Sequence, residues 1–308
     1  MKKLLALVLA SVMVLSLAGC AAQEAAPAET KAAQTEAAQE AAPAETKAAE
    51  AAQEAAPVEE VNAIQTVNPG KLTVATSPDF APYEFYAIGD DGKPYLAGFD
   101  MDLAQYVANE LGLELEVIPM DFDGTIMELS QGNVDMSLAG YSVTEERKEV
   151  MDFSIVYYGG AQSFVTTKAN KDKFTDLASA NNPDLTIEAQ TGSIQADLMK
   201  QNTPDANCIE MVKVTDIIAE LVSGKADGAF IEKAVAESYQ ANYPDLELLC
   251  DVPFDSEGSA AGITKGNTAL VDGVNAAIEK CIASGEFDKF VQNAQELAKG
   301  DIIEGLLD

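Results

Sequence analysis

The sequence predicts an α/β protein of two similarly built lobes, preceded by a long segment that stays outside the fold. Three observations support this. From Lys71 onward, short strand-like runs alternate with amphipathic helical ones; a stretch at 126–140 recurs without a gap 92 positions later; and the first 66 or so residues lack the apolar periodicity a core requires.

The chain opens MKKLLALVLASVMVLSLAGC, in which Lys2 and Lys3 precede an apolar run too short for a comfortable membrane span. This is the pattern of a secretory signal peptide, and Leu17-Ala18-Gly19-Cys20 resembles the bacterial lipobox, which implies that Cys20 becomes a lipidated N-terminus. Residues 21–66 continue mainly in Ala, Glu, Gln, Pro, Lys and Thr, with EAAPAETKAA at Glu24 and again at Glu40, and EAAP once more at Glu54. No aromatic residue occurs there and each Pro interrupts helix, so a solvated tether is expected, with a partner-binding repeat as the alternative.

The body then reads element by element. KLTVAT (71–76) is strand-like, with Leu72 and Val74 on one face. GFDMDLAQYVANELG is helical: Asp100 is a plausible N-cap, Leu103, Val107 and Leu111 form an i, i+4 stripe, and Gly112 stops it. LELEVIPM alternates as a strand, GTIMELSQGN is helical and VDMSLAG is again a strand. The same grammar resumes with LTIEAQ, a helix from Ser193, CIEMV, a helix through DIIAELVSG, the strand DGAFIE, the helix KAVAESYQAN and the strand LELLC. Helices over 268–284 and 286–298 close the chain, and largely parallel sheets are expected.

The recurrence pairs IMELSQGNVDMSLAG (126–140) with IAELVSGKADGAFIE (218–232), matching Glu128 with Glu220, Leu129 with Leu221, Gly132 with Gly224 and Asp135 with Asp227. Each copy is a helix, a Gly turn and a buried strand. Because ligands of open α/β sheets sit beyond the carboxyl ends of the strands, Gly140 and Glu232 are expected to face one shared cleft.

Composition narrows the function. Net charge is −32, with 51 acidic against 19 basic residues, which argues against nucleic acid and anionic bilayers as partners. No histidine is present, which removes Ser-His-Asp and Cys-His catalysis and His-based zinc sites, and no cysteine spacing suits a metal. Beyond Cys20 the cysteines are 208, 250 and 281. Cys208 and Cys250 both fall on strand-like runs, so a disulfide between them and buried reduced thiols are both open.

One residue stands apart. Arg147 is the chain's only arginine, and it lies in the first turn of the helix that Thr144 caps, beside Glu145 and Glu146. The helix dipole does not favour a cation there. A guanidinium beside a strand end can instead aim its planar fork at a carboxylate, which lysine cannot do. The alternative is a surface ion pair with Glu145, Glu146 or Asp152, worth at most about 1 kcal/mol, but such a pair would tolerate the lysine this chain uses for every other basic side chain.

Residues 70–298 resemble the polar amino-acid-binding proteins of ABC importers, the family-3 solute-binding proteins. The resemblance rests on FAPYEF (80–85), GFDMDLAQYVANELG (98–112), QTGSIQADL (190–198), the region 224–236 and, most diagnostically, FDGTIMELSQGNVDMSLAGYSVTEERKEVMDFS (122–154). It implies a two-lobed, periplasmic-binding-protein-like (type II) clamp: lobe 1 over 67–162 and 255–308, lobe 2 over 163–254, and a two-strand hinge. It further implies that Arg147 binds a ligand's α-carboxylate bidentately, joined by the Ser142 N–H and, from lobe 2, the hydroxyl and N–H of Ser193. Gly140 would offer its carbonyl to the α-ammonium, and Gln190 would line the cleft. Glu232 falls where the family has an aspartate for that ammonium, and its extra methylene leaves direct contact open. Phe80 and Phe122 would pack on the ligand's side chain, although both also suit an ordinary core. Ser77 stands where some relatives carry an acid that reads a basic or amide side chain; Asp79 is two residues off, so the sequence does not itself support a basic ligand.

The function implied by the resemblance is that of a monomeric binding subunit without metal or cofactor. It would be held outside the cytoplasm by lipid at Cys20, close on an amino acid and deliver it to an ABC permease. Two rivals share the fold: a cyclohexadienyl or arogenate dehydratase, for which Glu232 is the one acid placed in the cleft as a proton donor, and a ligand-binding partner of a membrane sensor.

Overall fold

The computed structural model describes residues 64–300 except 257, so the expected signal peptide, Cys20 and the tether up to residue 63 lie outside the described residues. The last three residues of the expected tether belong instead to the folded body: Ile64 packs against the principal core and the Gln65 carbonyl accepts the Asn267 amide at 2.9 Å. Two five-stranded sheets organise the chain. The first half runs β1 (Lys71–Thr76), β2 (Asp79–Phe80), β3 (Glu84–Ile88), β4 (Pro94–Ala97), α1 (Phe99–Leu111), β5 (Glu114–Pro119), α2 (Phe122–Ser130), β6 (Met136–Ser137), α3 (Glu145–Val150) and β7 (Met151–Tyr158). The chain then crosses to β8 (Gln162–Thr167), β9 (Thr186–Gln190), α4 (Ile194–Asn202), β10 (Asn207–Met211), α5 (Val214–Ser223), β11 (Gly228–Glu232), α6 (Lys233–Asn242) and β12 (Leu246–Val252). It returns for β13 (Ser259–Thr264), α7 (Thr268–Ala283) and α8 (Glu286–Leu297).

The first sheet has the order β5-β1-β6-β13-β7 and the second β10-β9-β11-β8-β12. These are the same arrangement twice, which accounts for the internal recurrence. Its two copies are α2 with β6 and α5 with β11, and Gly132 and Gly224 both adopt positive φ (71° and 76°). The matched aspartates do the same work: Asp135 accepts the Thr73 N–H of β1 at 2.8 Å, and Asp227 accepts the Thr186 N–H of β9 at 2.9 Å. Each carboxylate thereby satisfies a backbone donor on the strand second from the edge of its sheet.

The sheets are mixed rather than largely parallel. β13 runs antiparallel to β6 and β7, and β8 runs antiparallel to β11 and β12. Only the strands joined through helices are parallel, because each crossing enters the other sheet in the reverse sense. Asp100 also departs from expectation. The helix starts at Phe99, and Asp100 turns into the core, where its Oδ2 accepts the Gly140 N–H at 3.2 Å and the Tyr157 hydroxyl at 3.1 Å. Buried donors outweigh the exposed role of a cap.

Cys208 and Cys250 sit on β10 and β12, at opposite edges of the second sheet. Four inter-strand steps put them roughly 19 Å apart, beyond any disulfide, and Cys208, Cys250 and Cys281 are all free thiols. The principal core joins Leu72 and Val74 of β1, Leu103 and Val107 of α1 and Val274 and Ile278 of α7 to Ile217, Ile218 and Leu221 of α5. Each such side chain contributes about 1.5–3 kcal/mol on burial. Among the described residues, no helix is long and apolar enough to cross a membrane, and no cluster of His, Cys, Asp and Glu could hold a metal ion.

Candidate functional site

Arg147 is buried, 8% exposed, in the short helix α3, where Thr144 accepts its backbone N–H at 3.2 Å as the N-cap. Its guanidinium lies between two rings, 5.5 Å from the centroid of Phe122 and 5.4 Å from that of Tyr141. Nη1 donates to the carbonyl of Ser142 at 3.2 Å, and Nη2 reaches the second lobe to donate to the carbonyl of Gly192 at 3.3 Å. Of the acids that could have made a surface pair, Glu145 pairs with Lys148 at 2.8 Å and Asp152 with Lys265 at 2.9 Å, while Glu146 stands exposed to solvent. Among the described residues, no carboxylate forms a salt bridge with Arg147. Burial pulls its pKa below the usual guanidinium value, the mark of a charge removed from water. Leaving a buried cation without an anion costs several kcal/mol, of which two rings recover about 1–2. The site is built to receive a negative group.

Across the gap is Glu232, last residue of β11. Its Oε2 accepts the Val235 N–H at 2.9 Å, capping α6, and its Oε1 accepts the Ala161 N–H of the first crossing at 3.3 Å. Burial raises the carboxyl to about 7 against these hydrogen bonds. A cation placed beside it would restore the charge.

One small cavity, of about 20 Å3, brings together all eight residues singled out from the sequence: Phe80, Phe122, Gly140, Ser142 and Arg147 from the first lobe, and Gln190, Ser193 and Glu232 from the second. Gly140 has φ 58°, and a Cβ there would stand 2.9 Å from a ring carbon of Phe80. The backbone can therefore approach the aromatic floor only as glycine. Ser193 caps α4 by accepting the Ala196 N–H at 3.2 Å. Its hydroxyl and its N–H both donate to the Gln190 carbonyl, at 2.6 and 3.2 Å, so either must turn before it can serve a ligand.

Asp79 lies just below this cavity. Its Oδ2 accepts the Val214 N–H of α5 at 2.6 Å and the Gln190 amide at 3.1 Å, both across the lobe boundary. Sequence reasoning missed Gln162, Gln195 and Ser259, which line the same cavity. The Gln195 amide donates to Gln162 at 2.8 Å. Gln195 had a usable signal, since it sits in the first turn of a helix already assigned to the cleft; Gln162 and Ser259 open strands at the two crossings and had none.

Two lobes of like topology around a buried cation and an opposing carboxyl define a clamp-type binding protein for a small charged solute. The family model for bacterial extracellular solute-binding proteins, family 3, matches residues 72–294, and the chain belongs to that extracytoplasmic family. It is 34% identical over 224 residues to the arginine-binding extracellular protein ArtP of Bacillus subtilis, covering 71% of this chain and 84% of that one. A crystal structure of the amino acid ABC transporter substrate-binding protein AbpA from Streptococcus pneumoniae, bound to L-arginine, superposes with TM-score 0.72 at 32% identity, covering 75% of this chain and 97% of that one. The cyclohexadienyl dehydratase of Pseudomonas aeruginosa is 28% identical over 190 residues, 60% of this chain and 68% of that enzyme.

Proposed function

We propose that the chain is the substrate-binding subunit of an ABC importer, closing its lobes on an amino acid and delivering it to a membrane permease. The observation that carries this reading is the buried, unpaired guanidinium of Arg147 in one cavity with Glu232 of the other lobe. An α-carboxylate meets the first and an α-ammonium the second, so a zwitterion neutralises both charges only when the lobes are closed. In this reading Ser142 and Ser193 add donors to the carboxylate, the Gly140 carbonyl faces the ammonium, and Phe80 and Phe122 wall the ligand. Cys20 carries the lipid that holds the protein to the outer face of the membrane, with the residues from 21 up to the start of the folded body at Ile64 as tether. The test is thermal denaturation of the full chain against each of the twenty amino acids, since a ligand that binds only the folded state raises the midpoint. No shift with any of them refutes the reading.

One observation favours a second reading. A buried carboxyl raised to about 7 holds a proton near neutrality, which is what a general acid requires, and Glu232 is such a group facing the cavity. In a dehydratase it would protonate a departing hydroxyl. Incubation with prephenate or arogenate separates the two: loss of water and carbon dioxide supports the enzyme, and an unchanged compound supports the binding protein.

A further inference from the structure

Gln190 ends β9 almost fully buried, 4% exposed, on the cavity wall. Its Nε2 donates twice, to Oδ2 of Asp79 at 3.1 Å and to the carbonyl of Val212 at 3.2 Å. A side-chain amide can usually be turned end for end, but not here. The Val212 carbonyl has no proton to give. The Asp79 carboxylate already accepts the Val214 N–H at 2.6 Å on Oδ2 and the Ser77 hydroxyl at 3.0 Å on Oδ1. Both neighbours only accept, so both amide protons face them and the carbonyl oxygen Oε1 must face the other way. That oxygen makes no hydrogen bond among the described residues, and it is not among the sealed, unpartnered atoms of the core, so it opens on the cavity.

Its position bears on which part of a ligand it meets. A small inner pocket shares Phe80, Gln190, Gln195 and Glu232 with the main cavity but includes neither Arg147, Ser142 nor Ser193. Gln190 thus borders both the part of the cavity that holds Arg147 and an extension toward Phe230 and Ile231 that Arg147 does not line, where a ligand's side chain has room to lie. Desolvation raises Asp79 to about 6 against its hydrogen bonds, so it carries its charge at neutral pH. A carboxylate behind the N–H end of an amide polarises the group and makes the far oxygen a stronger acceptor.

We infer that Asp79 is a positioning residue for ligand selectivity, holding Gln190 as an obligate acceptor so that this end of the cavity takes a hydrogen-bond-donating, positively charged side chain, guanidinium or ammonium, and rejects a carboxylate. The inference rests on the amino-acid reading above and names the class of amino acid. It also gives the acid two residues from the expected position an indirect route to the ligand.

The experiment is titration calorimetry of the full chain with arginine, with citrulline as its uncharged isostere, and with glutamate. Arginine is expected to bind at least 10-fold tighter than citrulline, and glutamate to give no heat. In Asp79→Asn the new amide can donate as well as accept, which frees Gln190 to turn, and the arginine-to-citrulline ratio should fall at least 10-fold. Any weakening of the Val214 N–H bond to residue 79 affects closure for both ligands alike and leaves that ratio untouched. Gln190→Met, which removes the acceptor without touching Asp79, should lower the ratio similarly and serves if Asp79→Asn does not fold. Wild-type protein that binds citrulline as well as arginine, or variants that lose both equally, overturn the inference while the amino-acid reading stands. Failure of every amino acid to bind overturns both.

Discussion

Replacing Arg147 separates a binding role from a structural one. Arg147→Lys keeps the charge but loses the fork. A bidentate carboxylate contact is two charge-assisted hydrogen bonds at about 1.5–3 kcal/mol each, and lysine can supply one of them. The expected loss in binding free energy is therefore about 1.5–3 kcal/mol, a roughly 10- to 150-fold rise in Kd. Arg147→Met removes the charge as well. Binding should then fall beyond about 100-fold, because the ligand carboxylate would be buried without a cation. Stability without amino acid should move little. The variant loses the bonds to Ser142 and Gly192 and the stacking on Phe122 and Tyr141, and it gains relief from a buried, unpaired guanidinium. These opposing effects leave a net change within about 2 kcal/mol in either direction. Urea denaturation reads the stability and calorimetry with the stabilising amino acid reads the affinity. An Arg147→Lys protein of unchanged affinity, or an Arg147→Met protein that no longer folds, would show that the guanidinium serves the fold and not the ligand.

Three further outcomes are expected. Gly140→Ala places a Cβ 2.9 Å from Phe80 and 3.3 Å from Tyr83 at φ 58°, and should lose about 1–3 kcal/mol of stability together with amino-acid binding; a variant as stable as wild type would show that the floor can yield. Burial raises Asp79 and Asp100 to about 6 and Glu232 to about 7, and burial together with the neighbouring Asp100 carboxylate holds Glu84 well above its ordinary value. Raised folded-state values stabilise below the unfolded pKa and lose that contribution as pH rises through 6–7, so Tm without amino acid should be higher at pH 5.5 than at pH 8. Affinity should run the other way, because the ammonium pairs with ionised Glu232, and a Kd that does not weaken from pH 8 to pH 5.5 would remove Glu232 from the contact. Lastly, Asp135→Ala strands the N–H groups of Thr73 and Val67, accepted at 2.8 and 2.7 Å, and should cost about 2–4 kcal/mol; Asp227→Ala strands that of Thr186 and breaks the exposed Lys173 pair, and should cost about 1–3, both read by denaturant titration.

Much of the architecture is legible without coordinates, because helix and strand periods and the 92-residue recurrence are local or self-referential signals. Arg147 is legible by contrast, as the one guanidinium in a chain of lysines. The hidden features depend on partners far away in sequence. Asp100 has good cap chemistry, and only the arrival of Gly140 and Tyr157 shows why it turns inward. The cysteines at 208 and 250 both sit on strands, and only the sheet order shows that they lie at opposite edges. Gln162 and Ser259 begin strands next to the crossings, a place no periodicity marks. Spacing alone gives Asp79 no role, since its link to the cavity runs through Gln190, 111 residues later.

The strand order also bears on how the molecule is completed during synthesis. β13 lies between β6 and β7 and is the strand on which β7 pairs, yet it is made only after every strand of the second sheet. A nascent chain ending before residue 259 therefore leaves a slot in its first sheet, with β7 lacking its partner. The earlier-made half waits for the later-made one, and no truncation product from the N-terminal side should persist as a finished body.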